Sequence, residues 1–327
     1  MKIAFFSAHS YDRQYFTKYN TGYELAFFEV ELNLESYQLA NGAEVVCAFV
    51  NDVLNRQVLQ ALNTLGVKLI AMRCAGFNNV DIVAANEFGI RVVRVPAYSP
   101  YAVAEFAVAL ILTLNRKTHK AYNRVREGNF SLSRLTGFDL YGKTVGVIGT
   151  GKIGQVFSLI MQGFGCRVLA FDLIANKELE SRGIEYKPLI KMLPECDIIS
   201  LHCPLNEQTR YMINSDTISL MKKGCMLINT SRGGLVETAA VIDGLKTGQI
   251  GYLGLDVYEQ EEKLFFHNLS ESVIPDERIM VLTSFPNVLV TSHQGFFTEE
   301  ALTQIAQTTF ANITEWKKGE KLSNLVG

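Results

Sequence analysis

The amino-acid sequence predicts an α/β fold of two domains, each built on an open parallel β-sheet, with a cleft between them. The chain has 327 residues, which fits two domains of about 100–200 residues each. Short apolar, β-branched runs alternate with helix-like segments almost from end to end, which is typical of strands joined by crossover helices. Several of these runs are apolar at consecutive positions, as in parallel strands that are covered on both faces.

Ten segments have the composition of buried strands. They are residues 3–6, 45–50, 69–73, 91–95, 145–148, 168–171, 198–201, 226–229, 253–257 and 288–291. A longer helix-like segment, residues 102–119, follows Pro96 and Pro100, and residues 298–318 are helix-like again with no strand after them. We therefore expect the last helix to pack back onto the first domain.

The order of these segments predicts where the domains divide. Four strands precede the long helix, and a polar, loop-like segment at 127–139 lies before a second series of strands that starts at Val145. We predict one domain of residues 1–100 plus 299–327, interrupted by a second domain of residues 101–298. The chain then crosses between the domains twice, and the cleft is the natural place for a ligand.

Composition and charge exclude several classes of protein. Apolar residues make up 48% and charged residues 20%, which excludes collagen-like and disordered chains. Thirty-one basic and 33 acidic residues give a net charge of −2, which argues against a nucleic-acid partner. Six scattered cysteines indicate reduced side chains, and the longest apolar run, 106–114, is too short to span a bilayer. We expect a cytoplasmic protein with neither a membrane partner nor a metal site.

A glycine-rich turn follows the strand at 145–148. Gly149, Gly151 and Gly154 have the spacing that brings backbone close to a pyrophosphate at the start of a helix. The next strand ends in Asp172, 18 residues beyond Gly154, where an acid can bind ribose hydroxyls and repel a 2′-phosphate. This pattern indicates a Rossmann-like domain that binds NAD in preference to NADP. The alternative is a structural turn in which Asp172 is a cap.

Three polar residues lie at or beyond the ends of later strands, where open α/β sheets bind their ligands. They are Arg232, Glu261 and His293. An Arg can clamp a carboxylate, a His can donate a proton to a carbonyl oxygen, and a neighbouring Glu can orient that His. The set suits hydride transfer to a 2-oxo acid. Taken singly, Arg232 fits a surface arginine equally well, whereas Glu261 fits a solvated acid better and His293 fits a structural histidine better. Spacing alone does not join the three.

Six segments resemble one enzyme family over nearly the whole chain. They are RCAGFNNVD (73–81), GVIGTGKIG (146–154), LHCPLNEQT (201–209), LINTSRGGLV (227–236), LGLDVYEQE (253–261) and TSHQGF (291–296). In these segments the chain is similar to the D-isomer-specific 2-hydroxyacid dehydrogenases. The resemblance implies two Rossmann-like domains, the first holding substrate and the inserted one holding NAD.

The resemblance also implies roles for individual residues. It makes His293 the acid/base, Glu261 its carboxylate partner and Arg232 the group that binds the substrate carboxylate. The implied substrate-binding residues are Phe49, Ala75, Gly76, Tyr98, Arg232 and Phe296. The implied cofactor-binding residues are Gly149, Gly151, Lys152, Ile153, Gly154, Asp172, Cys203, Pro204, Thr209, Thr230, Ser231, Arg232 and Asp256.

The implied reaction is the reversible reduction of pyruvate by NADH to D-lactate. Phe49 and Phe296 are bulky and favour a methyl-sized substrate side chain, while 2-oxoisocaproate, glyoxylate and hydroxypyruvate stay open as substrates. An alternative from another class is an NAD-sensing module that binds proteins, which the same fold also supports. The family further implies a homodimer or a homotetramer that needs no metal.

Overall fold

The chain folds into two units, each built on its own parallel sheet. A computed structural model describes the backbone of residues 1–327 and the side chains of all of them except Lys263. The first unit comprises Met1–Ser99 and Phe297–Gly327, and the second comprises Pro100–Phe296. The second unit is therefore inserted into the first along the sequence.

The strands form two sheets in which neighbouring strands run parallel. They are β1 (Lys2–Phe5), β2 (Glu24–Phe27), β3 (Val45–Ala48), β4 (Leu69–Met72), β5 (Arg91–Arg94), β6 (Thr144–Ile148), β7 (Arg167–Phe171), β8 (Glu185–Tyr186), β9 (Ile198–Leu201), β10 (Cys225–Asn229), β11 (Ile250–Leu255) and β12 (Val288–Val290). The first unit has the order β2-β1-β3-β4-β5, and the second has β12-β11-β10-β9-β6-β7-β8. The predicted α/β class with open parallel sheets is confirmed.

Helices connect most of these strands. They are α1 (Ser10–Lys18), α2 (Arg56–Thr64), α3 (Ile82–Glu87), α4 (Pro100–Arg116), α5 (Thr118–Arg126), α6 (Lys152–Gly163), α7 (Lys177–Ser181), α8 (Leu189–Met192), α9 (Ser215–Leu220), α10 (Thr238–Thr247), α11 (Glu277–Ser284) and α12 (Glu299–Lys318). Among the residues that the structure describes, no helix has the length and apolar character needed to cross a membrane.

The burial of the central strands explains why they are apolar at consecutive positions. Every residue of β3, β4, β9 and β10 is buried, because helices cover both faces of a parallel sheet. Each of the ten predicted strands is present, with small differences at the ends. The edge strands β2 and β8 were not predicted, because no residue of β2 is fully buried and β8 has two residues.

The predicted helix over residues 102–119 is wrong at its carboxyl end. α4 ends at Arg116, and Lys117 adopts a left-handed backbone with φ of 52° before α5 begins at Thr118. A left-handed residue cannot continue a right-handed helix, so the segment forms two helices. No glycine or proline stands at this break, which is why the sequence does not show it.

The last helix returns the chain to the first unit. The Thr298 side chain caps α12 by accepting a hydrogen bond from the backbone N–H of Ala301. Further along, Nδ2 of the buried Asn312 donates to the carbonyl oxygen of Arg94 at 2.9 Å. This bond fastens α12 to the end of β5, where the first unit's sheet carries its loops.

Candidate active site

The glycine turn between β6 and α6 is shaped by close backbone contacts. Gly149 has a φ of 93°, and a Cβ there would lie 2.5 Å from the backbone nitrogen of Cys203. A Cβ on Gly154 would lie 1.9 Å from the carbonyl oxygen of Gly149. At Gly151, by contrast, a Cβ would meet nothing within 4 Å. Two glycines therefore pack the turn, and the third leaves open space beside the free N–H groups at the start of α6, as a pyrophosphate requires.

Asp172 lies at the carboxyl end of β7 and turns back toward this glycine turn. Its Oδ2 accepts hydrogen bonds from the Thr150 backbone N–H at 2.6 Å and from the Thr150 hydroxyl at 3.0 Å. Partial burial raises the pKa of the Asp172 carboxyl, but these bonds lower it further, so the net pKa lies below its usual value. Asp172 is thus an ionised acid fixed beside the turn.

Two loops that follow β9 and β10 meet next to the glycine turn. The Ser231 hydroxyl donates to the carbonyl oxygen of Cys203 at 2.7 Å, and the Thr209 hydroxyl donates to that of Pro204 at 2.7 Å. The Thr230 hydroxyl is buried and has no hydrogen-bond partner among the described residues. A buried polar group without a partner is costly, so this hydroxyl fits a contact with a bound ligand.

His293 and Glu261 are in direct contact although 32 positions separate them in the sequence. His293 Nδ1 lies 2.9 Å from Glu261 Oε1, and the two side chains are 20% and 22% exposed. The second carboxylate oxygen, Oε2, accepts a hydrogen bond from the Tyr258 backbone N–H at 2.9 Å. This bond fixes the carboxylate, which in turn fixes the imidazole.

The backbone of His293 is strained and is held in place by Asp256. His293 has a φ of 53°, which is uncommon for a residue other than glycine. Its N–H donates to the carbonyl oxygen of Asp256 at 2.7 Å. The buried Asp256 carboxylate accepts from Thr291 Oγ1, from the Gln294 N–H and from the Gly295 N–H at 2.6, 2.9 and 2.7 Å. Burial raises the pKa of this carboxyl, although the three bonds act in the opposite direction.

Arg232 lies in the loop after β10, and this loop is tied to the Glu261 loop. The carbonyl oxygen of Arg232 accepts from Asn229 Nδ2 at 2.9 Å, and its Nη1 donates to the carbonyl oxygen of Ser231 at 2.6 Å. A Cβ on Gly233 would lie 2.0 Å from the carbonyl carbon of Tyr258. This close packing sets the Arg232 loop against the segment that leads to Glu261. Among the described residues, no hydrogen bond joins Arg232 itself to Glu261 or His293.

The remaining predicted substrate residues lie in the first unit, apart from Phe296, which is buried in the second. The Phe49 N–H donates to Asp52 Oδ2 at 2.6 Å, and the Arg73 guanidinium lies 4.8 Å from the Phe49 ring centroid. Arg94 Nη1 donates to the carbonyl oxygen of Ala75 at 2.8 Å, which orders the loop that contains Gly76. Tyr98 is half-buried.

Comparison with known proteins decides the family. Residues 108–295 match the NAD-binding domain of the D-isomer-specific 2-hydroxyacid dehydrogenases. The chain is 50% identical to a D-lactate dehydrogenase of Escherichia coli over 326 residues, covering 99% of both chains. The chain belongs to the D-isomer-specific 2-hydroxyacid dehydrogenase family. It is therefore an NAD-dependent oxidoreductase, which confirms the predicted family, enzyme class and cofactor.

Two further comparisons extend this family assignment over the whole length. The chain is 51% identical to a 2-hydroxyacid dehydrogenase homologue of Haemophilus influenzae, covering 100% of this chain and 99% of that one. Among solved structures, the pyruvate reductase of Chlamydomonas reinhardtii superposes with a TM-score of 0.94 at 47% identity, covering 99% and 98% of the two chains. Both sheets of the present dehydrogenase thus have full counterparts in its relatives.

His202 lies beside the glycine turn, and the sequence did not single it out. It follows β9, its Nε2 lies 2.9 Å from Ser200 Oγ, and its ring lies 4.7 Å from that of Phe157 in α6. The residue is partly exposed, but its Nδ1 is buried and has no partner among the described residues. Desolvation lowers the pKa of His202 to about 3. Its place at the carboxyl end of a strand is the signal that could have found it.

We expect the His202 imidazole to make the dehydrogenase less stable in acid. Its pKa is about 3 in the folded chain and 6.5 in the reference state, so below pH 6.5 the unfolded chain binds a proton that the folded chain does not. As the pH falls from 6.5 toward 3, this difference in proton binding lowers the free energy of unfolding progressively. From pH 7 to pH 5 the free energy of unfolding should fall by about 1–2 kcal/mol more in the wild type than in His202→Asn.

Urea unfolding at pH 7 and pH 5 measures this difference. Equal losses of stability in the wild type and His202→Asn would show that His202 is protonated as readily in the folded chain as in the unfolded one.

Proposed function

We propose that this enzyme is a D-lactate dehydrogenase, which reduces pyruvate with NADH to D-lactate and also catalyses the reverse reaction. The observation that carries the proposal is the hydrogen bond between His293 Nδ1 and Glu261 Oε1. It commits Nδ1 to the carboxylate and leaves Nε2 as the nitrogen for substrate. The relatives from E. coli and C. reinhardtii, described as a D-lactate dehydrogenase and a pyruvate reductase, support the choice of pyruvate.

In this proposal each polar side chain has one task. Bound NADH supplies a hydride to the carbonyl carbon. His293 donates a proton from Nε2 to the carbonyl oxygen, and in lactate oxidation it takes that proton back. The Glu261 carboxylate orients the imidazole and compensates the positive charge of its protonated form. Arg232 binds the substrate carboxylate through paired hydrogen bonds, for which a planar guanidinium is suited.

The other predicted site residues complete the proposal. Substrate is also bound by Phe49, Ala75, Gly76, Tyr98 and Phe296. The backbone N–H groups of Ala75 and Gly76 donate to the substrate carboxylate. The hydrogen bonds that order Phe49 and the Ala75 loop support these roles. NAD is held by the glycine turn with its neighbours and by the two loops beside it: Gly149, Gly151, Lys152, Ile153, Gly154, Asp172, Cys203, Pro204, Thr209, Thr230, Ser231, Arg232 and Asp256.

The proposal assigns one ligand to each of the two predicted domains. Residues 1–100 with 299–327 hold substrate, and residues 101–298 hold NAD.

We also propose that the enzyme forms a homodimer or homotetramer. The inserted unit exposes several large apolar side chains in and near α4 and α5, which an interface between copies would cover. They are Tyr101, Tyr122, Phe130, Leu132 and Tyr141.

A panel of 2-oxo acids tests the proposed reaction. NADH oxidation is followed with pyruvate, glyoxylate, hydroxypyruvate and 2-oxoisocaproate in parallel, and the handedness of the product is determined. We expect the highest kcat/KM with pyruvate and a D-lactate product, because Phe49 and Phe296 are bulky and buried. A larger acid with the highest kcat/KM would contradict the substrate choice, and NADH binding without turnover of any acid would contradict the assigned catalytic roles.

A further inference from the structure

A chain of hydroxyl groups lies behind Asp172 and has no task in the chemistry proposed above. The Tyr186 hydroxyl accepts a hydrogen bond from the Asn176 backbone N–H at 2.9 Å and donates to Thr150 Oγ1 at 2.9 Å. The Thr150 hydroxyl then donates to Asp172 Oδ2 at 3.0 Å. The backbone N–H of Thr150 donates to the same oxygen at 2.6 Å. We name Asn176, Tyr186, Thr150 and Asp172 the Tyr186 relay.

The direction of the Tyr186 relay follows from the number of protons available. A hydroxyl has one proton to donate. The Tyr186 hydroxyl donates a hydrogen bond to the Thr150 oxygen, which therefore acts as an acceptor toward Tyr186. The Thr150 hydroxyl uses its own hydrogen to donate to Asp172. Hydrogen bonds in such a chain polarise one another, which strengthens the last of them. The Thr150 hydroxyl is therefore fixed as a hydrogen-bond donor to Asp172.

Three separate parts of the second unit meet in the Tyr186 relay. Thr150 lies between the first two glycines of the phosphate turn and is 5% exposed, Asp172 follows β7, and Tyr186 ends the edge strand β8. Thr150 donates two hydrogen bonds to Oδ2 of the carboxylate, whereas Oδ1 accepts a long bond of 3.4 Å from the Ile174 N–H. Oδ1 is thus the oxygen with capacity to accept hydrogen bonds from a ligand.

We propose that the Tyr186 relay sets the preference for NAD over NADP, with Thr150 and Tyr186 as positioning residues that hold Asp172 in the orientation that binds ribose hydroxyls. The inference rests on the proposed role of Asp172. A carboxylate held in this way cannot rotate to make room for a 2′-phosphate, and its charge repels one. Without the relay the side chain gains rotameric freedom, so NADPH is rejected less strongly and NADH is bound less well.

Binding measurements test the relay without turnover. The Kd values of NADH and NADPH are determined by fluorescence titration for the wild type, Thr150→Val, Tyr186→Phe and Asp172→Asn. Thr150→Val should reduce the preference for NADH about tenfold, because it removes one hydrogen bond to a charged group while the Thr150 backbone N–H still donates to Asp172. Tyr186→Phe acts one bond further away and should reduce it about threefold. Asp172→Asn should reduce it at least as much as Thr150→Val.

Two controls separate positioning from general damage. Thr150→Ser keeps the hydroxyl and should keep the wild-type ratio of Kd values. Thr309→Val removes a buried hydroxyl in the first unit that has no partner among the described residues, and it should not change the ratio. In a double-mutant cycle, Tyr186→Phe should have no further effect once Thr150 is Val, because the relay passes through Thr150.

The cofactor-free protein gives an independent readout. The pKa of the Asp172 carboxyl, which the Thr150 bonds lower, can be followed by NMR of the side-chain carboxyl carbons. It should rise toward its usual value in Thr150→Val and stay low in Thr150→Ser.

The outcomes distinguish the relay from the role of Asp172 on which it rests. An unchanged ratio in Thr150→Val, beside a lost preference in Asp172→Asn, would overturn the relay and leave Asp172 as the specificity residue. An unchanged ratio in Asp172→Asn would overturn both. Additive effects of Thr150→Val and Tyr186→Phe would show that Tyr186 acts by another route and would overturn the relay as a chain.

Discussion

Replacing His293 with glutamine should lower kcat for pyruvate reduction by about 10²–10⁴-fold, the contribution of a positioned proton donor. Glutamine has no group that exchanges a proton near neutral pH, so the carbonyl oxygen would have to take its proton from water. The His293 side chain is not among the groups proposed to hold NADH, so the Kd of NADH should stay within about twofold of the wild type. Stopped-flow reduction of pyruvate and fluorescence titration of NADH measure the two quantities.

A second variant separates the loss of the proton donor from a change in the backbone. His293 has a φ of 53°, and asparagine tolerates this left-handed region better than most residues. His293→Asn should therefore lose as much activity as His293→Gln without added backbone strain. If the asparagine variant kept near-normal turnover, the effect of glutamine would be structural and the acid/base role would be wrong.

A variant of Glu261, the partner of His293, should lose less activity than the His293 variants. Glu261→Gln removes the negative charge and leaves one carbonyl oxygen, which can accept from His293 Nδ1 or from the Tyr258 N–H but not from both. The loss of kcat should be smaller than in the His293 variants, because the imidazole itself remains. A larger loss than in His293→Gln would indicate that Glu261, and not His293, supplies the proton.

The fold could be predicted from the sequence where burial leaves a strong pattern. β3, β4, β9 and β10 are covered on both faces, so their residues are apolar at consecutive positions. The edge strand β2 lacks that cover and β8 has two residues, so their patterns are weak. No glycine or proline marks the break at Lys117, whose Nζ donates to the carbonyl oxygens of Arg134 and Thr136.

The candidate site also has parts that the sequence predicts and parts that it does not. The glycine turn and Asp172 are close in sequence and follow from spacing, because a phosphate-binding turn fixes its own geometry. The contact of Glu261 with His293 joins two loops at the ends of different strands, and the family resemblance, not spacing, suggested it. His202, Thr150 and Tyr186 were missed because their roles depend on which side chains lie behind the ligand-facing ones, and neither composition nor periodicity reports such contacts.

Replacing Arg232 with methionine should lower kcat/KM for pyruvate by about 10²–10³-fold, with both a higher KM and a lower kcat. Removing one partner of a hydrogen-bonded charge pair costs about 2–5 kcal/mol, and in the proposed mechanism the same guanidinium binds the carboxylate in the ground state and the transition state. The loop should keep its shape, since the backbone carbonyl of Arg232 is held by Asn229 and Gly233 packs on Tyr258. Arg232→Lys keeps the charge without the planar fork and should show an intermediate loss.

A neutral substrate analogue makes the test of Arg232 specific to the carboxylate. Pyruvamide has the same carbonyl group and methyl group as pyruvate but no negative charge. The wild type should reject it strongly, whereas Arg232→Met should have lost most of this discrimination, because it no longer presents a cation to the carboxylate. Arg210→Met, which removes an exposed guanidinium from the second unit, should retain the wild-type discrimination. An Arg232→Met enzyme that still rejects pyruvamide as the wild type does, with its KM for pyruvate unchanged, would assign carboxylate binding to other groups, of which the backbone N–H groups of Ala75 and Gly76 are the first to test.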